Sequence, residues 1–433
     1  MRQAISTSPM SSIIRLRSSL LRVAPLRVAP LRVALACLML ASSGCATPRR
    51  LPAVPTAAEA TAQPLSGPTR FLVTRDTSGM LAEAKQALER ERAWLAANGR
   101  GGPLPPASML AISGGGDAGA FGAGLLTGWT AAGTRPEFKV VTGVSTGALI
   151  APFAFLGSSY DPVLKAVYTE VSQSDIFKPR GLLKGFFGDA MADTTPLFRL
   201  VQRHVDRPLL DAIAAEYAKG RLLLVGTTNL DTLEPVIWNM TAIAANHDPR
   251  APELFRKVLL ASASIPGAFP PVLIDVEVGG AHYQEMHVDG GAMAQVFMYP
   301  PSLQASDMGV TRQRTLYIIR NARLDPDWAS VRRRTLPIVG RAVSGLMQSQ
   351  GVGDLYRIFL TAQRDGVDYN LAYIPPTFTT PHVKEFDTGY MRQLFRTGFD
   401  MAAAGYPWRK EPPGYVAPFR QSIAAAPRTE PTP

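Results

Sequence analysis

The chain has 433 residues, 46% of them hydrophobic, and a formal net charge of +11. That is enough apolar material for a large core in one domain or two. Six of the arginines behind this charge lie in residues 1–44, which hold no acid, and the rest of the chain carries only +5; without a Lys/Arg block interleaved with aromatics, the composition argues against a nucleic-acid partner.

The arginine-rich start leads into the apolar run Val33–Ala41 and the small residues Ser42-Ser43-Gly44, followed by Cys45. A basic region, a short apolar run and small residues form an export signal, and the run is shorter than the roughly 20 residues a membrane span needs. The end of the segment resembles the lipobox of bacterial lipoproteins, with Ser42 where leucine is usual. The resemblance implies that Cys45 is lipidated and becomes the mature N-terminus of an exported lipoprotein in the cell envelope. Ala46 resembles the class sent to the outer membrane. The alternative is an ordinary cleaved signal. Cys37 and Cys45 are the only cysteines, so the body after them can form no disulfide, thiolate nucleophile or Cys-based zinc site.

Residues 45–75, rich in Ala, Pro and Thr without periodicity, read as a flexible tether between the signal (1–44) and a folded domain (76–405). The spacing then predicts a helix from Ser78, as its cap, to about Asn98. Met109–Ser113 reads as a strand, Ala118–Ala132 as a helix, Phe138–Thr142 as a strand and Thr146–Leu156 as a helix. The pattern continues with a helix over Leu209–Lys219, strands over Arg221–Asn229 and Pro235–Met240, and a helix over Glu253–Ser262. A strand at Thr315–Arg320 precedes helical patterns over Thr335–Gln363 and Gly389–Ala404. Strands alternating with helices predict an α/β fold, a mainly parallel central sheet covered by helices on both faces. Residues 406–433 read as a proline-rich tail.

Three short motifs carry chemistry. Gly143-Val144-Ser145-Thr146-Gly147 sits between a strand and a helix, the context of a nucleophile elbow. There a serine projects from a strained turn, glycines at Gly143 and Gly147 avoid collision with neighbouring backbone, and the helix start aims N–H groups at developing charge. The run Ser113-Gly114-Gly115-Gly116 also follows a strand, and the bare N–H groups of Gly114, Gly115 and Gly116 could form an oxyanion hole. Gly114, Gly116 and Gly119 also satisfy GxGxxG, but the acid that a dinucleotide site needs after the next strand is missing, since Glu137 lies before it. Asp289, in Val288-Asp289-Gly290-Gly291, is a candidate base delivered by a strand to a tight turn; Asp-Gly is also an ordinary turn pair. His382 or His287 could instead complete a Ser–Asp–His triad. The spacing of His282, Glu285 and His287 fits no metal site, and no cofactor is expected.

Taken in order, SGGGDAGAFGAG, GVSTG and VDGG resemble the patatin-like phospholipase family over about Leu110–Met293, and ASASIPGAFPPV resembles the segment before the family's aspartate. The resemblance implies a patatin-like αβα architecture. It makes Ser145 the acylated nucleophile, Asp289 its base without histidine, and Gly114, Gly115 and Gly116 the oxyanion donors. The sequence departs from the family at Ala118, where many members carry Arg or Lys. The expected function is a lipid acyl hydrolase acting on phospholipid or lysophospholipid and held at the membrane through Cys45. The alternatives are a general esterase with a histidine triad and a non-catalytic, lipid-binding envelope lipoprotein. A further candidate is Gly181–Met191, apolar and glycine-punctuated, as a segment contacting acyl chains at a bilayer.

Overall fold

The structure, a computed structural model, describes residues 50–181, 188–326 and 328–416. The lipidation candidate Cys45 and the whole signal segment lie outside these residues, as does most of the acyl-contact candidate Gly181–Met191. Among the described residues, no helix is long and apolar enough to cross a membrane.

The sheet strands are β1 (Arg70–Leu72), β2 (Ala107–Ile112), β3 (Phe138–Val144), β4 (Leu222–Asn229), β5 (Glu234–Asn239), β6 (Val272–Val278), β7 (Ala281–Asp289), β8 (Arg314–Arg320) and β9 (Asp368–Tyr373). They form one nine-stranded sheet among the described residues, ordered β1-β5-β4-β3-β2-β8-β9, with the β6–β7 hairpin joined through β7 to β4. In that order, the five strands from β4 to β9 are mutually parallel; β1, β5, β6 and β7 add antiparallel pairs. The principal helices are α1 (Thr77–Ala97), α2 (Gly119–Ala131), α3 (Thr146–Leu156), α4 (Asp161–Thr169), α5 (Thr195–His204), α6 (Arg207–Ala218), α7 (Ala251–Ser262), α8 (Thr335–Arg364) and α9 (Thr388–Ala403).

The sheet is mixed, mostly parallel, and covered on both faces, as the alternation predicts. Along β2, Leu110 and Ile112 join a core containing Phe121, Ile150, Val258 and Leu394 from the helices of one face. Met109 and Ala111 turn to the other face and meet Leu355, Ile358 and Phe359 of α8. A strand buried on both sides must read as a continuous apolar run rather than an alternation, and MLAI does. Helix α1 begins one residue before the predicted cap, because the Asp76 carboxylate, not Ser78, accepts the Gly79 N–H.

Two boundaries differ from the sequence expectation. From Arg50 onward the supposed tether is built into the domain. Arg50 makes paired 2.9 Å bonds to Asp231, Arg70 forms a buried ion pair with Glu285, and β1 closes the sheet edge against β5. Composition misses this because the partners lie more than 150 residues away. At the other end, the tail is packed up to Tyr415. Trp408 packs at an angle against Trp129 and edge-on against Tyr317, with ring centroids 4.9 and 5.0 Å apart, and Tyr415 meets Phe359 at 4.8 Å.

Candidate active site

The register of β4 brings two distant side chains together. Its Leu222–Gly226 stretch pairs with β3, which ends at Val144 opposite Gly226. The next residue, Thr227, pairs instead with Asp289, the last residue of β7. Strands β3 and β7 therefore share one lane beside β4 and meet end to end, with Ser145 on one side of the junction and Asp289 on the other. The junction leaves no room for a side chain at Gly290, where a Cβ would stand 2.5 Å from the Gly226 carbonyl oxygen.

Ser145 has φ 55° and ψ −125°, a strained conformation for a residue with a Cβ. The flanking glycines are required by close approach. A Cβ on Gly143 would lie 2.4 Å from the Gly147 oxygen, and one on Gly147 would lie 2.3 Å from the Ile112 oxygen. The Ser145 N–H donates to Ser262 Oγ at 3.0 Å, and that hydroxyl donates to the Gly226 carbonyl at 2.7 Å. Ser262, in the ASASIP segment, thus ties the serine turn to β4. The start of α3 at Thr146 follows directly, its first N–H groups unused by the helix.

Asp289 is 2% exposed. Burial raises its pKa to about 7, while the Ser145 side chain and the Gly291 N–H pull it back by favouring the ionised form. Oδ1 accepts the Gly291 N–H at 2.7 Å. Oδ2 is buried with no hydrogen bond closed on it among the described residues. Oδ2 is thus the carboxylate oxygen left unpaired at the strand junction where Ser145 stands.

The glycine loop departs from its sequence reading at one position. The Gly114 N–H donates to the Gln295 carbonyl at 3.0 Å, so it is not available as an oxyanion donor. Holding the loop costs that group. The Gly115 and Gly116 N–H groups carry no hydrogen bond among the described residues, and both glycines have positive φ, 154° and 59°. Asn321, which no sequence motif marks, secures the loop. Its N–H donates to Ser113 Oγ, its Nδ2 to the Ser113 carbonyl, and its Oδ1 accepts the Gly122 N–H, all at 2.8–3.0 Å. A Cβ on Gly115 would strike the Asn321 carbonyl at 2.2 Å.

Neither histidine of the triad alternative reaches the pair. His287 is fully buried, with Nδ1 on Thr227 Oγ1 at 3.0 Å and Nε2 on Glu285 at 3.1 Å. His382 Nε2 lies 2.7 Å from Asp117 Oδ2, which also accepts the Phe386 N–H. The hydrogen bond to Asp117 raises the His382 pKa, and this imidazole sits beside Asp117 at the end of the glycine loop, where residue 118 is alanine. Asp117, His382 and Glu385 could together offer ligand atoms to a metal ion; Oδ2 of Asp117 already serves two donors. Thr146, the residue after Ser145, lines an apolar cavity together with Leu149, Ile176, Val201, Leu259 and Phe386 among others, a lining of the kind an acyl chain requires.

A serine on a strained strand–helix turn, a buried carboxylate and a glycine loop with free N–H groups lie together on an αβα fold. Residues 110–299 match the family described as patatin-like phospholipase; this stretch of the chain is a patatin-like phospholipase domain, of a family of lipid acyl hydrolases. Among solved structures, VipD from Legionella pneumophila is similar over 69% of this chain and 66% of its own, at 12% identity and a TM-score of 0.33. Human GIVD cytosolic phospholipase A2 is similar over 71% and 55%, at 11% identity and a TM-score of 0.28. The chain thus spans less than two thirds of either. No curated protein matches it in sequence.

Proposed function

We propose that the protein cleaves carboxylic esters of phospholipid or lysophospholipid through a Ser145–Asp289 dyad. Asp289 takes the Ser145 proton as Oγ attacks the ester carbonyl carbon. The Gly115 and Gly116 N–H groups and the start of α3 face the resulting oxyanion. The tetrahedral intermediate collapses, and the alcohol leaves with the proton held by Asp289. Water then attacks the acyl-serine, giving a proton to Asp289, which returns it to Oγ as the fatty acid departs. The observation that carries this reading is the end-to-end meeting of β3 and β7, which pairs the serine with a buried carboxylate whose pKa lies near 7. The apolar cavity beside Thr146 supplies the acyl subsite. Purified protein is expected to release fatty acid from phospholipid or lysophospholipid and to take a fluorophosphonate label that maps to Ser145. A site that neither labels nor hydrolyses would leave a non-catalytic lipid-binding protein.

The chemistry belongs at a membrane, and we place the protein in the envelope through a lipid on Cys45. Metabolic labelling with an alkynyl fatty acid checks this: the label should appear on the mature chain and vanish in Cys45→Ala. Unchanged labelling would remove the anchor.

A further inference from the structure

Helix α8 changes character halfway along. Its C-terminal half buries Leu355, Ile358, Phe359 and Ala362 against the sheet. Its N-terminal half, with the segment leading into it, leaves six large apolar side chains in the open: Trp328 is 87% exposed and Leu346 70%, with Val331, Ile338, Val339 and Val343 between 42% and 53%. Val339, Val343 and Leu346 fall at i, i+4 and i+7, one stripe along the helix. Isolated exposed hydrophobics need no explanation, but a cluster of this kind marks an interaction site.

The charge around it is one-sided. From Trp328 to Gln350 there are four arginines, Arg332, Arg333, Arg334 and Arg341, and no acid. Arg332, Arg333 and Arg334 are exposed. Basic residues beside apolar ones, with a tryptophan at the border, match the interface of an anionic bilayer, where rings sit at headgroup depth and arginines meet phosphates.

The patch is also joined to the site. Gln348 Nε2 donates to the Arg323 carbonyl at 2.8 Å, and its Oε1 receives Arg320 Nη2 at 3.4 Å. Arg320 closes β8 and precedes Asn321, whose three hydrogen bonds hold the glycine loop. The patch therefore follows the carboxyl end of β8, and β3 delivers Ser145 from its own carboxyl end in the same parallel array.

We propose that residues 328–346 dock the protein on an anionic phospholipid surface, so that the substrate is drawn from that surface; this last step rests on the hydrolase reading above. The test uses the full chain carrying Cys45→Ala and Ser145→Ala, which removes both the lipid anchor and turnover. Co-sedimentation is measured with phosphatidylcholine vesicles and with the same vesicles doped with phosphatidylglycerol. Partitioning should be stronger on the doped vesicles and weaken as salt rises. Arg332→Gln, Arg333→Gln and Arg334→Gln combined should lower it on the order of 100-fold. Trp328→Ser with Leu346→Ser should lower it on both vesicle types. In the Ser145 background, both variants should keep turnover of a soluble short-chain ester. Unaltered partitioning overturns the proposal, as does an equal loss of soluble-ester turnover. So does conversion of a dimer to a monomer by these substitutions, which would make a second copy the occupant. Because binding is read on inactive protein, its failure leaves the Ser145 chemistry untouched, and failure of that chemistry leaves the binding result standing.

Discussion

Ser145→Ala and Asp289→Asn should each lower kcat/KM for ester cleavage by about 10⁵-fold, and the double variant should be little worse than either alone. Residues that act as one unit lose their effect together, so a second removal finds almost nothing left to remove. The residual rate would come from the remaining groups, chiefly the Gly115 and Gly116 N–H groups and the apolar cavity. Asp289 should matter nearly as much as the nucleophile because no histidine among the described residues stands between it and the serine. His287→Ala should act mainly on stability, since its ring fills a buried site between Thr227, Glu285 and Trp238. His382→Ala should leave most of the turnover, because its partner is Asp117 at the edge of the glycine loop. Steady-state kinetics on one soluble ester, with circular dichroism to show folding, checks all of these. Substantial turnover in Asp289→Asn, or a collapse of turnover in folded His382→Ala, would reinstate a histidine triad.

Much of this site could be read in the sequence because its requirements are local. Gly143 and Gly147 are needed by backbone within a few residues or on the adjacent strand, so the GxSxG pattern carries its own reason, and α3 begins and ends at the predicted residues. The Asp-Gly-Gly turn is legible as a turn pair, although the contact that requires Gly290 is with Gly226, 64 positions earlier. What escaped depends on distant partners. The Gly114 N–H is lost to the Gln295 carbonyl, 181 positions on, and no glycine pattern encodes that. Asn321 lies one residue past a strand correctly expected at Thr315–Arg320, yet its three contacts reach residues some 200 positions earlier. Strand β9 was not anticipated; it is recognised only by pairing along β8. The same holds for Arg50 and β1, where a proline-rich composition suggested a tether while an edge strand and two carboxylates were waiting to receive it.

The pH dependence should separate catalysis from stability at a single residue. Asp289 can act as a base only when ionised, so kcat/KM should rise through about pH 7 and level off above it. The stability effect has the opposite sign. The unfolded carboxyl titrates at about 3.9 and the folded one at about 7, so between these values the native state holds more protons than the unfolded state. Stability from this residue is therefore fully present below about pH 4 and is lost as pH rises to 7, by at most about 4 kcal/mol. The side-chain amide in the Asp289→Asn variant cannot ionise and escapes that loss. The difference in unfolding free energy, variant minus wild type, should grow in the variant's favour from about pH 4 to 7 and then stay level. Groups common to both proteins cancel in this difference, including Glu285, whose pKa is held down to about 2 by His287 and Arg70 against the effect of burial. Urea denaturation of the two proteins across this range gives the result directly. A difference that does not vary with pH would mean that the Asp289 carboxyl is not held near neutrality by burial, and the same residue would then lack the basicity that the dyad requires.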